Sequence, residues 1–201
     1  MRVTEHEQRS DGWLAARLGV PTASGFSKLI TSTGKKAASF DRYVNELIAE
    51  RLTGQTTFVP TTDAMQRGTD LEPLARAFYE MVYDLKVFEV GLCLHDDIDA
   101  GASPDGLVGD DGLLEIKCPL ASTMIGYLRD NKLPTQYVQQ VQGQLWITGR
   151  DWCDFLAWHP NTQALLVRVE RDDKYIAELA SIVCEAIDVI NENVNKLGRN
   201  N

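Results

Sequence analysis

Apolar residues recur along the chain with two periods, and each period predicts one kind of secondary structure. A spacing of three or four residues predicts helices over 11–18, 22 or 24 to 30, 40–52, 63 or 69 to 83, 122–130, 134–148 and 176–197. Alternation of apolar and polar residues predicts strands over 86–95, 101–108, 113–118, 152–158 and 165–170. The mixture favours an α/β or α+β fold with a central mixed β-sheet flanked by helices.

Two positions carry local signals for helix ends. Gly54 follows the apolar spacing of 40–52 and predicts a C-terminal stop, because glycine adopts a left-handed backbone at little cost. Pro73 leaves the start of the next helix open between two positions. It fits the first turn if the helix begins near Thr69, whereas it kinks the helix if the helix begins at Asp63.

The composition narrows the class of protein without identifying a function. With 201 residues, 44% apolar and 24% charged, the chain matches an ordinary globular domain, which argues against collagen, coiled coil and disorder. No apolar run approaches the roughly 20 residues of a membrane span, and the first ten residues are too polar for a signal peptide. We therefore expect about one domain, located in the cytoplasm and with no membrane partner.

The metal-binding side chains argue against zinc and draw attention to the middle of the chain. The four cysteines do not occur in a Cys-x-x-Cys spacing, and there are only three histidines. Residues 61–130, however, hold 14 Asp and Glu against 5 Lys and Arg, which equals the net charge of −9 of the whole chain. This region is either a solvated acidic face or a set of carboxylates gathered for a divalent metal.

The most specific pattern is a pair of short motifs in two neighbouring predicted strands. Asp105 stands in SPDG (103–106), and Glu115 and Lys117 stand in LEIKCP (114–119). Because side chains alternate along a strand, Glu115 and Lys117 share one face, while Ile116 points to the other and leaves its carbonyl near the edge. If the two strands pair as a hairpin, two carboxylates and one ammonium converge.

This grouping fits metal-dependent hydrolysis of a phosphodiester. Two carboxylates and a backbone carbonyl are the hard oxygen ligands that Mg²⁺ prefers. The metal lowers the pKa of a bound water, and a lysine beside it stabilises charge that develops on the phosphorane. The pattern Pro-Asp…Asp/Glu-x-Lys is typical of metal-dependent nucleases. The alternative is a surface hairpin with a Glu–Lys ion pair, because Asp/Glu-x-Lys alone is common.

The chain resembles the phage lambda exonuclease family, the YqaJ-type viral recombinases or alkaline exonucleases, from about residue 12 to residue 197. The resemblance rests on six segments in the same order: WLxxRLGV with TAS (13–24), GxxxE (68–72), SPDGL (103–107), LEIKCP (114–119), QVQ followed by a tryptophan (140–146), and ERDxKY (170–175). It implies a restriction-endonuclease-like core and a single nuclease domain of the PD-(D/E)xK type over 1–201.

The resemblance also implies an activity and an assembly. The implied activity is a Mg²⁺-dependent exonuclease that degrades one strand of double-stranded DNA from 5′-phosphorylated ends, releasing mononucleotides and leaving a 3′ single strand for recombination. We expect two Mg²⁺ ions, with Mn²⁺ as a substitute. The implied assembly is a homotrimeric ring, a toroid, and the implied partner is a phage single-strand annealing protein in a bacterial host.

Five residues match the active site of the family. Asp105 and Glu115 match its metal ligands, the carbonyl of Ile116 matches a further ligand, and Lys117 matches the catalytic lysine. Glu72 matches an additional catalytic carboxylate. Without the resemblance, Glu72 is better explained as an ordinary acid in the first turn of a helix, where it interacts with the helix dipole.

Five further residues match family positions that contact the DNA end. Arg17, Ser24, Ser103 and Gln140 match the pocket that holds a 5′-phosphate, and Met65 matches an apolar wedge between the two strands. Four of them have ordinary alternatives: Arg17 as a surface arginine, Ser24 as a helix cap, Gln140 as a solvated glutamine and Met65 as a methionine in the core. The family also carries an arginine for the minor groove in the loop over 31–36, and which residue replaces it here is open.

Two other functions remain open. The first is another nuclease on the same core, an endonuclease or a junction resolvase, and digestion of closed circular DNA separates it from an exonuclease. The second is a catalytically silent module that binds DNA ends. The intact Asp105, Glu115 and Lys117 argue against this second function.

Overall fold

The computed structural model describes residues 1–57 and 62–198, and it consists of helices packed on a central sheet. Its strands are β1 (Arg2–Val3), β2 (Val87–Phe88), β3 (Cys93–Leu94), β4 (Gly101–Ala102), β5 (Gly106–Val108), β6 (Gly112–Lys117), β7 (Trp152–Ala157) and β8 (Leu165–Glu170). Its α-helices are α1 (Asp11–Ala16), α2 (Phe40–Thr53), α3 (Asp63–Tyr83), α4 (Ala121–Asp130), α5 (Val138–Thr148) and α6 (Asp173–Gly198). Two short 3-10 helices cover Ala23–Lys28 and Thr135–Tyr137.

The main sheet has the strand order β2-β5-β6-β7-β8 and is mixed. Strands β6 and β7 are parallel, and every other pair in this sheet is antiparallel. The parallel pair requires a crossover, which α4 and α5 provide. A small antiparallel sheet of β1, β3 and β4 lies apart from it. The predicted central mixed sheet with flanking helices is therefore confirmed.

Alternation along β6 directs its side chains to two different helical layers. Leu114 and Ile116 pack with Ala75 and Tyr79 of α3. Leu113, on the other face, belongs to the cluster that includes side chains of α4 and α5. Glu115 and Lys117 follow Leu113 in the same alternation, so they lie on the face that α5 covers. This placement brings polar side chains of α5 next to the predicted catalytic pair.

Helices α2 and α6 and the first 3-10 helix form a second layer, which packs against α5. The predicted apolar stripe of α6 is buried at its centre, at Leu179, Val183, Ala186 and Ile190, and it packs with α2 and the first 3-10 helix. Gly54 ends α2 with a φ of 68°, the left-handed C-cap that its position predicted. Within the described ranges, no helix is both long enough and apolar enough to cross a membrane.

Three predicted elements differ from the structure. The predicted strands over 86–95 and 101–108 are each broken into two short strands, one in each sheet. An alternating pattern does not reveal such a break, because it does not encode which strands pair. Helix α3 begins at Asp63, where Thr62 Oγ1 accepts a hydrogen bond from the Met65 N–H, so Pro73 lies in the helix interior rather than in its first turn.

Candidate active site

Asp105 lies at the break between β4 and β5, opposite the end of β6. The β5–β6 hairpin pairs Gly106 with Leu114, and Gly109 makes the turn with a φ of 55°. Asp105 Oδ2 accepts a hydrogen bond of 2.6 Å from the N–H of Ile116. The carboxylate is thus held across from the motif that contains Glu115 and Lys117, as the hairpin hypothesis required.

Glu115 is only 1% exposed, and its carboxylate is surrounded by donors. Lys117 Nζ contacts Glu115 Oε1 on the shared face of β6. Gln140 and Gln144, one turn apart on α5, donate hydrogen bonds of 2.6 Å to the two oxygens of Glu115. A buried carboxylate needs this compensation, because burial of an unpaired charge is costly. The Glu–Lys pair is therefore not an exposed surface pair.

The two carboxylates and the ammonium perturb one another electrostatically. Burial, and then the charge of Glu115, raise the pKa of Asp105 well above its usual range. Burial by itself would lower the pKa of Lys117, but Glu115 and Asp105 outweigh burial and raise this pKa above its usual value. Lys117 is therefore a stable ammonium that faces two carboxyl groups. With one cation for two acids, the cluster either holds a proton on Asp105 or needs a further positive charge.

A cleft of about 510 Å³ opens beside this cluster, between β6 and the start of α3. Glu72, Lys117 and the backbone segment at Ile116 line it. Arg67 of α3 donates hydrogen bonds to the carbonyls of Cys118 and Pro119, which fixes α3 against the segment after β6. We refer to this space as the catalytic cleft.

Glu72 reaches the catalytic cleft with both carboxylate oxygens paired to arginines. Arg9 contacts Oε2 at 2.6 Å, and Arg76 contacts Oε1 at 3.2 Å. Glu72 lies near the middle of α3 rather than in its first turn, so the alternative of a dipole-paired acid in the first turn is wrong. Within 1–57 and 62–198, no three His, Cys, Asp or Glu side chains are arranged to hold a metal ion.

Met65 lines the outer part of the catalytic cleft in the first turn of α3. It is 51% exposed, so the alternative that it fills the core is wrong. The exposed thioether can contact a molecule that enters the catalytic cleft. Met65 and Lys117 line the same cleft, which is compatible with the wedge that the family resemblance implies.

The four residues expected to hold a phosphate all line one small pocket of about 140 Å³, beside the cluster. They are Arg17, Ser24, Ser103 and Gln140. The pocket connects directly to Glu115, because Gln140 borders it and also donates to that carboxylate. These four residues come from the C-terminal end of α1, a 3-10 helix, the β4–β5 break and α5, and the fold brings them together. We call this space the small pocket.

Trp13 organises the small pocket. The guanidinium of Arg17 lies 4.0 Å from the centre of the Trp13 ring, and the indole N–H donates to Ser103 Oγ at 3.0 Å. Arg17 Nη2 donates to Thr22 Oγ1 at 3.1 Å and to Ser24 Oγ at 3.4 Å. Burial lowers the pKa of Arg17. Stacking on an indole fixes the plane of the guanidinium and favours paired hydrogen bonds to an anion.

Two expectations about the surrounding loops need correction or refinement. Ser24 lies inside the 3-10 helix, and Thr22 occupies the cap position without a side-chain cap bond, so Ser24 is not a helix cap. Lys36 pairs with Glu185 at 2.5 Å, whereas Lys35 is exposed and has no side-chain ion pair among the described residues. Of the two lysines in the loop over 31–36, Lys35 is therefore the freer to take the place of the family's minor-groove arginine.

Four residues at the site escaped prediction from the sequence. Trp13 was recognised only as part of a family segment, and Gln144 only as a residue that shares a face with Gln140. Tyr137, whose ring centre is 5.3 Å from Lys117 Nζ, and Arg9 had no signal at all. The spacing of four between Gln140 and Gln144 was the one available indication, because such residues are neighbours on a helix.

The fold and the gathered carboxylates and lysine are those of a candidate nuclease, and comparison with known proteins agrees. A family model described as a YqaJ-like viral recombinase domain matches residues 12–151. The chain belongs to this family. The match covers the β5–β6 hairpin and the residues that line the two cavities, except Gln8 and Arg9, which precede it.

Solved structures extend the likeness over nearly the whole chain. An alkaline exonuclease (LHK-Exo) from Laribacter hongkongensis is 43% identical, with a TM-score of 0.87 over 95% of this chain and 97% of that chain. It has also been solved in complex with dAMP. A phage related exonuclease from Haemophilus somnus is 15% identical, with a TM-score of 0.69 over 89% of this chain and 96% of that chain, and shows the fold alone. The family and the first likeness together support a deoxyribonuclease.

A curated viral relative is much longer than this chain. Uncharacterized protein R354 of Acanthamoeba polyphaga mimivirus is 28% identical over an alignment of 171 residues, and the match covers 77% of this chain and 30% of that protein. The chain therefore spans about a third of the length of the curated relative that it matches.

Proposed function

We propose that this chain is a Mg²⁺-dependent exonuclease that degrades one strand of double-stranded DNA from 5′-phosphorylated ends. The observation that carries the proposal is the joining of two sites through Gln140. This residue donates to Glu115 in the catalytic cluster and also borders the small pocket that contains Arg17. An anion in the small pocket is thus held next to the carboxylates. This arrangement suits cleavage close to a phosphorylated end.

The donor set of the cluster fits a divalent cation. Asp105 and Glu115 supply hard oxygen atoms, and the Ile116 carbonyl supplies a third, while waters complete the coordination that Mg²⁺ prefers. Burial and mutual repulsion of the two carboxylates favour a counter-charge greater than that of Lys117 alone. When bound, Mg²⁺ lowers the pKa of a water and polarises the phosphodiester, and two ions, or Mn²⁺ in their place, supply the same chemistry.

The side chains of this chain have separate tasks in the proposed reaction. Lys117 remains protonated at Nζ and stabilises the negative charge that develops on the phosphorane. Glu72 provides a further carboxylate in the catalytic cleft. Met65, exposed at the mouth, separates the two strands. Arg17 holds the terminal 5′-phosphate with a planar fork of donors.

The resemblance to the family also supports a proposal for the larger assembly. We propose that residues 1–201 work as one nuclease domain in a homotrimeric ring that threads the duplex. A ring retains DNA without a large basic surface, which suits a chain with a net charge of −9. The product, a duplex with a 3′ single strand, is the substrate of a phage single-strand annealing protein in the cytoplasm of a bacterial host.

Digestion of defined DNA ends tests this function. We expect Mg²⁺-dependent release of mononucleotides from linear duplex with a 5′-phosphate, slower release from a 5′-hydroxyl end, and no cutting of a closed circle. Cutting of the circle would indicate an endonuclease instead. No release under any metal would indicate a module that only binds ends.

Arg17→Ala tests the small pocket separately. Because Arg17 is proposed to contact only the terminal phosphate, the variant should lose roughly tenfold or more in rate on 5′-phosphate ends. It should change the rate on 5′-hydroxyl ends little. The measurement is the ratio of the two rates in wild type and variant. Equal slowing of both ends would make Arg17 a general DNA contact.

A further inference from the structure

Arg9 borders three cavities around the catalytic cluster. It lines the catalytic cleft with Lys117, and it lines the small pocket with Arg17. It also lines a third cavity of about 620 Å³ beneath the N-terminal strand, which Asp105 and Arg76 border as well. A side chain in this position lies between the proposed site of the terminal phosphate and the proposed site of cleavage.

The backbone at Arg9 is held in a conformation that suits glycine better than arginine. Its φ is 71°, in the left-handed region that L side chains seldom adopt. Both neighbours are anchored: Gln8 donates hydrogen bonds to the carbonyls of Val90 and Pro104 at 3.0 and 2.8 Å, and Ser10 caps α1. The fold therefore accepts backbone strain to place an arginine next to the Asp105 segment. Strain of this kind clusters at functional sites.

The ion pair between Arg9 and Glu72 can open without leaving Glu72 unpaired. Glu72 keeps Arg76 on its other oxygen, and Arg76 is also held by Glu89 at 2.7 Å. Arg76 is largely buried, whereas the Arg9 side chain is 50% exposed. Lys117, the other cation of the catalytic cleft, is committed to Glu115. If Arg9 leaves Glu72, no carboxylate in this network loses its last cation.

We propose that Arg9 binds the scissile phosphodiester, leaving Glu72 when DNA enters the catalytic cleft. The inference rests on the proposed function, because it needs a DNA strand that runs from the small pocket to the cluster. Arg17 already serves the small pocket, and Arg9 lies between it and the cluster. A planar guanidinium there holds two phosphate oxygens and orients the diester toward the carboxylates.

Arg9→Gly is the appropriate test variant because glycine adopts this backbone without strain. The variant should therefore unfold at the same temperature as wild type or a higher one. Under single-turnover conditions it should lose roughly a hundredfold in rate, equally on 5′-phosphate and 5′-hydroxyl ends. Arg9→Lys, which keeps the charge but not the fork, should recover only part of the rate. Arg17→Ala, by contrast, should change the ratio between the two ends.

Salt dependence of binding separates a phosphate contact from a merely structural role. In EDTA, the slope of log Kd against log salt for a duplex end should fall by about 0.9 in Arg9→Gly, as expected when one phosphate contact is lost. The matched control is Arg42→Ala, an exposed arginine of α2 that borders none of the three cavities. This control should change neither the slope nor the rate.

Each result has a distinct meaning. If wild type digests DNA and Arg9→Gly matches it in rate and salt slope, the inference about Arg9 is wrong while the proposed function stands. If the variant slows only 5′-phosphate ends, Arg9 belongs to the small pocket, and the assignment to the scissile diester is wrong. If wild type releases no nucleotides, the proposed function fails, and the inference fails with it.

Discussion

Two buried carboxylates lie on neighbouring strands of the main sheet and are neutralised in different ways. Asp154 of β7 is 2% exposed, accepts a hydrogen bond of 2.7 Å from Tyr79, and makes two bonds of 2.9 Å with Arg168. Glu115 of β6 is equally buried, but it shares one ammonium with Asp105 and depends on two neutral amides. One cluster is electrically balanced, and the other is not.

The contrast distinguishes a carboxylate that stabilises the fold from one that is available for chemistry. The Arg168 guanidinium, stacked 3.7 Å from the Trp152 ring centre, satisfies Asp154 with a geometry that leaves no need for another cation. Tyr79 remains protonated, because burial and the bond to Asp154 raise its pKa. At the Asp105–Glu115 cluster, one ammonium faces two carboxyl groups, so ionisation of both requires a further positive charge. The imbalance is thus the electrostatic signature of the candidate active site.

The strongest test of this contrast makes the same substitution, Asp to Asn, in each of the two clusters. Asp105→Asn keeps an oxygen that can accept from the Ile116 N–H but removes a metal-binding charge, so Mg²⁺-dependent release of nucleotides should fall to background. Asp154→Asn should retain wild-type specific activity per folded molecule. Release of acid-soluble nucleotides from linear duplex measures both. Comparable loss in the two variants would erase the functional distinction.

A second test removes the cation from each cluster. Lys117→Ala should lose about a hundredfold in rate, because it removes stabilisation of the transition state. Arg168→Ala leaves the reacting groups intact and should affect rate only through the amount of folded protein. Single-turnover rates, normalised to folded protein by circular dichroism, decide the comparison. Near-normal digestion by Lys117→Ala would remove this lysine from the catalytic role.

The third test concerns stability, where the order of the two clusters should reverse. Asp154→Asn breaks the paired bonds to Arg168 and weakens the bond from Tyr79, which should cost about 1–3 kcal/mol of unfolding free energy. Half of the Arg168 side chain is exposed, so its charge regains water and the cost stays in this range. Urea unfolding measures the difference. A neutral effect would show that the balanced cluster contributes little to stability.

The fourth and smallest effect is the pH dependence of Asp105→Asn. The pKa of Asp105 is raised in the folded protein, so the folded state holds this proton more tightly than the unfolded state. Stability is therefore lost as the pH rises from about 4, the ordinary pKa of Asp, through the raised value. In EDTA, Asp105→Asn should melt higher than wild type at neutral pH, and the gain should vanish toward pH 4. If Asp105→Asn melts at a lower temperature than wild type at neutral pH, the predicted direction of the stability change is wrong.

The chemistry of the hairpin could be predicted from the sequence because it depends on neighbours along one strand. The two-residue period places Glu115 and Lys117 on one face and Ile116 on the other whatever the rest of the fold does. The turn over 109–112 pairs the strands and brings Asp105 to the same end. The apolar stripe of α6 is predictable for the same reason, since its period repeats within one helix. Both features could be predicted because each depends on geometry within one hairpin or one helix.

Only the tertiary structure decided the surroundings of that hairpin. Trp13 meets Ser103 across 90 positions, and Gln144 meets Glu115 across 29. The partition of 86–95 and 101–108 between two sheets depends on which strands are available to pair, and no local period encodes that. The proposed role of Arg9 could not be predicted either, because it depends on three cavities that form only when the chain has folded. Contacts between distant segments depend on how the whole core packs. A single sequence shows each of the two segments, but it does not show that they meet.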